Sequence, residues 1–214
     1  MSEIKAVIFD LDGVICFTDH YHYLAWKAIA DEYGIYFDEL INNRLRGVSR
    51  RASFDIILER YEGRPFSEEE KEAICTRKNG IYREYLKEMS PADLSDEVRD
   101  TLKELKDSGL KLAVGSSSRN TRFILEKIGL DNFFTAVSDG NNISHSKPDP
   151  EVFLKAAEFI HEVPQDCLVV EDAEAGIDAA CAGGFHSCGI GDASSYEKTE
   201  YPIRNFSQIK DIVL

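Results

Sequence analysis

The chain has 214 residues, 43% hydrophobic and 30% charged, so it can bury a core larger than a minimal single domain needs. Its 25 Lys and Arg against 39 Asp and Glu give a formal net charge of -14, which disfavours nucleic acid and anionic membranes as partners. No apolar run is long enough to span a bilayer and no leader pattern opens the chain, so we expect a cytoplasmic protein.

The first predicted element is a short, β-rich apolar run at 4–9 that ends at Asp10. Similar runs follow at 110–115, 133–137, 167–170 and 185–190, and they are separated by helical patterns at 97–108, 120–129, 150–161 and 173–182. This alternation predicts an α/β fold with a Rossmann-like, doubly wound parallel sheet.

Between about residues 18 and 88 the apolar residues follow helical periodicity and no strand pattern intervenes. Ser67 and Glu70 form a predicted capping box for the last of these helices, and Ser90-Pro91 marks the return to the core. We therefore expect an α/β core domain at 1–16 and 89–214 with an inserted helical cap domain at 17–88.

The cysteines are five in number and contain no C-x-x-C pair. Most lie in apolar surroundings, so the pattern predicts reduced, buried thiols at Cys16, Cys75, Cys167, Cys181 and Cys188.

Two carboxylates, Asp10 and Asp12, follow the first predicted strand, and Gly13 allows a tight turn after them. Ligands bind at the carboxyl ends of strands in open parallel sheets. One Asp can then act as nucleophile while the other transfers protons. The alternatives for such an isolated pair are a helix cap or a metal site.

A serine-rich turn at 115–120 follows the second predicted strand of the core. Its hydroxyls, its amide and its cation stand where the free N–H groups of a helix N-terminus favour a phosphate. The same residues could serve only as a helix N-cap.

Two further candidates follow later strands. Lys147 precedes a helix whose start is set by prolines, and a lysine there can neutralise a phosphate and a carboxylate, although a lone lysine is normally only solvated. Glu171 and Asp172 end the strand at 167–170 and suit a hard cation such as Mg²⁺, unless Asp172 merely caps the next helix.

Together and in this order, the four clusters resemble the motifs of the haloacid dehalogenase superfamily, and the similarity spans the whole chain. Within that superfamily the cap resembles the β-phosphoglucomutase family. The residues that carry this second resemblance are Thr18, His22-x-x-x-Trp26-Lys27, 46–50, Arg77-Lys78-Asn79, Ser90-Pro91-Ala92-Asp93 and 116–120.

The resemblance implies that Asp10 becomes an aspartyl phosphate and that Asp12 is the general acid and base. One Mg²⁺ per active site would be held by Asp10, the backbone carbonyl of Asp12 and Asp172, with Glu171 acting partly through water. Thr18 and His22 would link closure of the cap to the placement of Asp12.

The resemblance also implies the residues that bind substrate and phosphate. Ser116 and Lys147 would hold the phosphoryl group being transferred, and Lys78 would reach the sugar. The distal phosphate and the approach of the cap loop would involve Gly47, Val48, Ser49, Arg50, Ser117, Ser118, Arg119 and Asn120. From the sequence alone, Arg50 would be a surface charge and Trp26 ordinary cap packing.

Two positions depart from the family pattern. Phe17 stands where many relatives carry an acid, which affects the hinge but not the expected metal ligands. Arg119 replaces the more usual Lys, which keeps the charge and adds a planar fork suited to phosphate.

The implied reaction interconverts β-D-glucose 1-phosphate and β-D-glucose 6-phosphate through glucose 1,6-bisphosphate, which is also the activator. The partner would be a small phosphorylated sugar and the protein a monomer. One alternative is a Mg²⁺-dependent sugar-phosphate phosphatase of the same superfamily. Another is a binding protein without turnover, which would have no need for both Asp10 and Asp12.

Overall fold

A computed structural model describes residues 4–46 and 48–214 and contains one parallel sheet of six strands in the order β3-β2-β1-β4-β5-β6. The strand bounds are β1 Ala6–Phe9, β2 Lys111–Gly115, β3 Ala136–Ser138, β4 Cys167–Glu171, β5 His186–Gly189 and β6 Tyr201–Pro202. The predicted α/β fold with a doubly wound parallel sheet is confirmed. Strand β1 pairs with β2 on one side and with β4 on the other, so the strand order reverses beside it.

Helices cover both faces of the sheet because the central strands are apolar on both. Val7 and Phe9 of β1 face one hydrophobic cluster, and Ala6 and Ile8 face another, all four fully buried. The core helices are α5 Asp96–Asp107, α6 Thr121–Lys127, α7 Glu151–Phe159, α8 Glu174–Gly183 and α9 Lys210–Val213. Continuous burial of β1 is typical of a central parallel strand.

Four helices lie between β1 and α5, and the described part of this segment contains no strand. They are α1 Asp19–Tyr33, α2 Glu39–Asn43, α3 Arg50–Leu58 and α4 Glu68–Leu86. Trp26 stacks on Phe54 at the centre of a third hydrophobic cluster that these helices share. The predicted capping box of Ser67 and Glu70 starts α4. Within the described residues, no helix has the length and hydropathy needed to cross a bilayer.

The structure differs from the sequence expectations in three places. The third strand was expected at 133–137, but it begins only at Ala136, because Asn132 has a positive φ and the Phe133 N–H closes a turn onto Leu130. Helix α2 and strand β6 were not predicted, since five and two residues are too short to show a period. Cys181 is exposed near the end of α8, whereas the other four cysteines are buried and all five are free.

Candidate active site

Three carboxylates converge where the strand order reverses. Asp10 follows β1, Glu171 ends β4 and Asp172 comes directly after it, and one oxygen of each lies within 4.8 Å of the others. Adjacent parallel strands present their carboxyl ends at the same edge, and this is the usual ligand crevice of open α/β sheets. The first and fourth sequence clusters are therefore brought together.

Lys147 lies among these carboxylates and is almost completely buried. Its ammonium Nζ is 2.5 Å from Asp10 Oδ1 and also donates to Glu171 Oε1. Burial alone would lower the pKa of Lys147, but the two adjacent carboxylates outweigh it and hold the pKa above its ordinary value. The third predicted cluster thus neutralises part of the first and fourth.

The carboxylates still outnumber the positive charge beside them. Burial, followed by repulsion from Glu171 and Asp10, raises the pKa of Asp172 to about 8. Burial also raises the pKa of Glu171. Lys147 opposes this effect, and the Asp10 carboxylate adds to it. Carboxyl groups whose pKa values are raised in this way have the charge and the oxygen donors that suit a hard divalent cation.

Two glycines make room for this acidic cluster. A Cβ at Gly13 would stand 2.0 Å from Asp172 Oδ2, and the φ of Gly13 is +84°. A Cβ at Gly176, in the first turn of α8, would stand 1.9 Å from Glu171 Cδ. Only glycine fits at either position without displacing a carboxylate. Helix α8 is not capped by Asp172, which leaves that carboxylate to the cluster.

Asp12 is hydrogen-bonded to the helical segment that follows β1. It accepts a hydrogen bond from Thr18 Oγ1, which in turn accepts one from the Tyr82 hydroxyl of α4 at 3.1 Å. Burial, with the Asp10 carboxylate adding to it, raises the pKa of Asp12 to about 7 in spite of the Thr18 hydrogen bond. A carboxyl group with this pKa exchanges protons readily near neutral pH.

His22 of α1 and the buried Lys78 of α4 form a pair, with 2.8 Å between His22 Nδ1 and Lys78 Nζ. The His22 ring stacks on Tyr82, and the Lys78 ammonium lies 5.1 Å from the centroid of Trp26. Burial, then the positive charges of Lys78 and Arg50, lower the pKa of His22 well below its ordinary value. Burial and Arg50 likewise lower the pKa of Lys78 to about 7. His22 is thus a neutral acceptor for Lys78.

The serine-rich turn is folded by its own hydroxyls. Ser116 Oγ accepts the Ser118 N–H, and Ser118 Oγ accepts the Asn120 N–H, each at 3.2 Å. Ser117 Oγ is the one buried side-chain N or O atom of the described residues without a hydrogen-bond partner. Asn120 precedes α6, but its side chain does not cap that helix, so the turn is more than a serine-rich N-cap.

Arg50 and Arg119 line the same cavity, and neither guanidinium forms a salt bridge with any described carboxylate. Arg50 starts α3, and Arg46 and Arg51 beside it both form such bridges. Burial lowers the pKa of Arg50, and the positive charge of Arg119 adds to the effect. Arg119 Nε donates to the Gly140 carbonyl at 3.2 Å. Two guanidiniums without a salt bridge in one pocket are a favourable environment for a multiply charged anion.

Most of these groups border one cavity of about 1130 Å³ between helices α1, α3 and α4 and the carboxyl edge of the sheet. Most of the predicted site residues line it, namely Asp10, Asp12, His22, Val48, Ser49, Arg50, Lys78, Ser116, Ser117, Ser118, Arg119, Asn120 and Lys147. Thr18, Glu171 and Asp172 do not line the cavity but lie next to residues that do. Thr18 bonds to Asp12, Glu171 bonds to Lys147, and a carboxylate oxygen of Asp172 lies within 4.8 Å of one of Asp10. Gly47 lies outside the described residues. Ser49 Oγ accepts the Ala52 N–H as the N-cap of α3.

Several cavity residues had no assigned role in the sequence analysis, among them Asn79, Tyr82 and His145. Tyr82 lies on the same face of α4 as Lys78, so its spacing of four residues is the signal that could have found it. Asn79 directly follows Lys78, and no helical spacing from Lys78 indicates it. His145 lies on the core loop just before Lys147, and nothing in its sequence context separates it from an ordinary exposed histidine.

Comparison with known proteins agrees with this geometry. The sequence profile of the haloacid dehalogenase-like hydrolases matches residues 4–184. The chain therefore belongs to the haloacid dehalogenase-like hydrolase family and is an enzyme of that superfamily.

Similar proteins include both mutases and phosphatases. The β-phosphoglucomutase of Bacillus subtilis strain 168 is 38% identical over 208 residues, which cover 96% of this chain and 92% of that protein. A crystal structure of β-phosphoglucomutase from Clostridium difficile has a TM-score of 0.88 and 36% identity, and covers 96% of this chain and 93% of its own. A phosphorylated carbohydrates phosphatase of Thermotoga maritima is 31% identical and covers 85% and 82%.

Proposed function

We propose that the protein is a β-phosphoglucomutase that interconverts β-D-glucose 1-phosphate and β-D-glucose 6-phosphate through glucose 1,6-bisphosphate. The proposal rests on one observation: cationic side chains border the cavity at two separate places, each of which would hold a phosphoryl group. One is beside Asp10 and Lys147, and the other is at Arg50 and Arg119, which form no salt bridge with a described carboxylate. A mutase that passes through a bisphosphate needs both, whereas a phosphatase needs only the first.

Asp10 would carry the phosphoryl group as an aspartyl phosphate. In the transfer, the sugar hydroxyl oxygen forms a bond to phosphorus, the bond between phosphorus and the Asp10 oxygen breaks, and the hydroxyl proton passes to Asp12. In the second transfer, an Asp10 oxygen would form a bond to the phosphorus of the sugar's original phosphate and the bond from that phosphorus to the sugar oxygen would break. Asp12 would return the proton to this sugar oxygen, and the newly transferred phosphate would stay on the sugar. A pKa of about 7 allows Asp12 to accept and to donate this proton at neutral pH.

The acidic cluster fits a single Mg²⁺. Asp10, Glu171 and Asp172 offer three carboxylates, and the backbone carbonyl of Asp12 would complete the set. Burial and the neighbouring carboxylates raise the pKa values of Glu171 and Asp172. When bound, the ion neutralises charge on the phosphoryl oxygens during transfer. Lys147 contributes to the same neutralisation from the protein side.

Water is the competitor in this reaction, because it would hydrolyse the aspartyl phosphate. We propose that residues 17–88 act as a cap domain on a core formed by 1–16 and 89–214. The hydrogen bonds from Tyr82 to Thr18 and from Thr18 to Asp12 would place the proton-transfer group only when the cap is docked. Lys78 and His22 would meet the sugar from the cap side.

The test is an assay of both products. The enzyme is given β-glucose 1-phosphate, Mg²⁺ and a trace of glucose 1,6-bisphosphate, and glucose 6-phosphate and free phosphate are measured in parallel, with Asp10→Asn as the control. Glucose 6-phosphate in large excess over phosphate, lost in the control, supports the mutase. Equal amounts of free phosphate and glucose would establish a phosphatase instead. If neither glucose 6-phosphate nor free phosphate forms, β-glucose 1-phosphate is not the substrate.

A further inference from the structure

Helix α4 of the cap contacts the start of helix α6 of the core through two side-chain pairs. Asn120 Nδ2 donates to Asn79 Oδ1 at 2.9 Å. One helical turn further on, the Arg83 guanidinium lies 5.0 Å from the centroid of the Phe123 ring. The spacing of four residues on α4 and three on the other side sets the two pairs in a row, which we call the α4–α6 seam.

Asn120 does not use its side chain in the ordinary way. An Asn directly before a helix usually accepts a hydrogen bond from the backbone of the first turn, but the Asn120 side chain makes no such bond. Its amide donates across the cap–core boundary instead. Because Asn120 is only 4% exposed, bulk water does not compete for this group, and Asn79 sets the orientation of the carboxamide.

The two pairs of the seam differ in what they adjoin. Asn79 and Asn120 both line the cavity, next to Lys78 and Arg119 respectively, whereas Arg83 and Phe123 do not. The amide pair therefore joins the cap to the anion-binding turn itself. The Arg83 and Phe123 contact can hold the helices together but does not touch the cavity.

We propose that Asn79 is a positioning residue for the distal phosphoryl group. It holds the Asn120 carboxamide in the orientation that receives this group, so the turn at 116–120 is complete only when α4 is docked on α6. Asn79 acts through Asn120 and is not itself a catalytic residue. The inference deepens the proposed function and rests on it for the identity of the ligand as a phosphorylated sugar.

Trp26 provides a direct probe, because it is the single tryptophan of the chain and it lines the same cavity. Its fluorescence is followed while the Mg²⁺-loaded full-length enzyme is titrated with inorganic phosphate. The part of the response that Arg50→Ala removes defines the distal site. Asn79→Ala is expected to weaken that part about fivefold, the effect of about one hydrogen bond, and Asn120→Ala is expected to weaken it at least as much.

The double variant decides the mechanism. If Asn79 acts through Asn120, then Asn79→Ala causes no further loss in the Asn120→Ala background, as expected for coupled residues. Arg83→Ala is the matched control on the same seam and should change phosphate affinity less than about twofold. Thermal unfolding verifies folding of each variant, with Asn79→Ser as a substitute should Asn79→Ala be unstable.

Several outcomes overturn the inference. Losses that multiply in the double variant, an equal loss in Arg83→Ala, or unchanged affinity in Asn79→Ala would each show that Asn79 does not act through Asn120. A wild-type enzyme with no Arg50-dependent response would overturn both the inference and the proposed function. The coupled pattern in an enzyme that releases phosphate instead of isomerising the sugar would uphold the inference and overturn the mutase alone.

Discussion

Two buried lysines border the same cavity, and their surroundings are opposite. Lys147 of the core touches Asp10 and Glu171, and its pKa is raised. Lys78 of the cap forms no salt bridge with any described carboxylate, touches the neutral His22 and two aromatic rings, and has its pKa lowered to about 7. The charged form of lysine is thus stabilised by neighbouring carboxylates in one region and destabilised by burial in the other.

The difference shows that each half of the cavity carries a charge that the protein does not balance. The core side has three carboxylates against one lysine and therefore favours a cation. The cap side has Lys78 and Arg50, with Arg119 opposite, and therefore favours an anion. A magnesium ion together with a phosphorylated sugar would satisfy both halves at once, which explains why the proposed site lies between them.

The largest expected effect tests the core side of this comparison. Lys147→Met leaves two buried carboxylates without their cation, so the free energy of unfolding of the metal-free protein should fall by about 3–5 kcal/mol. Turnover should also be lost. Urea unfolding in a chelator gives the first value, and Lys210→Met, which removes a lysine from an exposed pair with Glu104, should change it by less than about 0.5 kcal/mol.

The cap side should respond in the opposite direction. Lys78→Met removes a buried charge that has no carboxylate partner, so the free energy of unfolding without ligand should stay the same or rise by about 1–3 kcal/mol. Affinity for glucose 6-phosphate should fall about tenfold or more, because a charged hydrogen bond is lost. A clear loss of stability in this variant would contradict the comparison. Lys87→Met, at the exposed end of α4, is the control.

The pH dependence of stability sharpens the same contrast. The pKa of Lys78 is about 7 in the folded protein and 10.5 without burial, so between these values the unfolded chain binds more protons and the penalty from Lys78 shrinks as the pH rises. Compared with Lys78→Met, the wild type should gain up to about 1.4 kcal/mol per pH unit above pH 7. The groups that face Lys78 and are unchanged in this comparison are Asp12, His22, Arg50, Cys75 and Tyr82. Parallel slopes for the two proteins would show that Lys78 is ordinarily charged.

The smallest expected effect concerns the rim of the cavity. Arg46 of the cap pairs with Asp192 of the core at 3.2 Å and with Asp19 at 3.3 Å, and it is the one salt bridge between residues 17–88 and the rest of the described chain. Exposed pairs contribute about 0.2–1 kcal/mol and are screened by salt. Arg46→Ala should therefore raise KM about twofold at low salt. It should have no effect at about 0.5 M NaCl, where interactions between exposed charges are largely screened.

A matched control separates the bridge from the arginine itself. Arg44 pairs with Glu59 inside the cap and does not reach the core, so Arg44→Ala should leave KM unchanged at both salt concentrations. An equal effect of the two variants would remove any role for Asp192 in holding the cap.

Much of the core could be predicted from local sequence. The short apolar runs indicated the strands, the alternation with helices predicted the parallel sheet, and the rule for strand ends placed Asp10 and Glu171 at one edge. The third strand was misplaced because the apolar Phe133 and Phe134 were read as part of it, although they lie in the turn before β3. Apolar residues predict burial without distinguishing a strand from a packed turn.

The cap contacts follow a different rule. The helices α1 and α4 could be predicted from their periodicity and from the Ser67 cap, since these are local signals. The bond between His22 and Lys78 spans 56 residues, and the bond between Asn79 and Asn120 spans 41. No local pattern encodes such pairs, because they depend on how the helices cross and on how the cap sits on the core.

The sequence by itself determined the fold class, the order of the chemical groups along the chain and the edge of the sheet at which they meet, because strand period and strand-end topology are properties of short segments. Only the tertiary structure decided which lysine is paired with carboxylates and which is not, that Asn120 bonds to Asn79 and does not cap its own helix, and that Arg50 and Arg119 line one cavity. Burial and charge balance arise from contacts between distant segments, so they exist only once the cap and the core pack together.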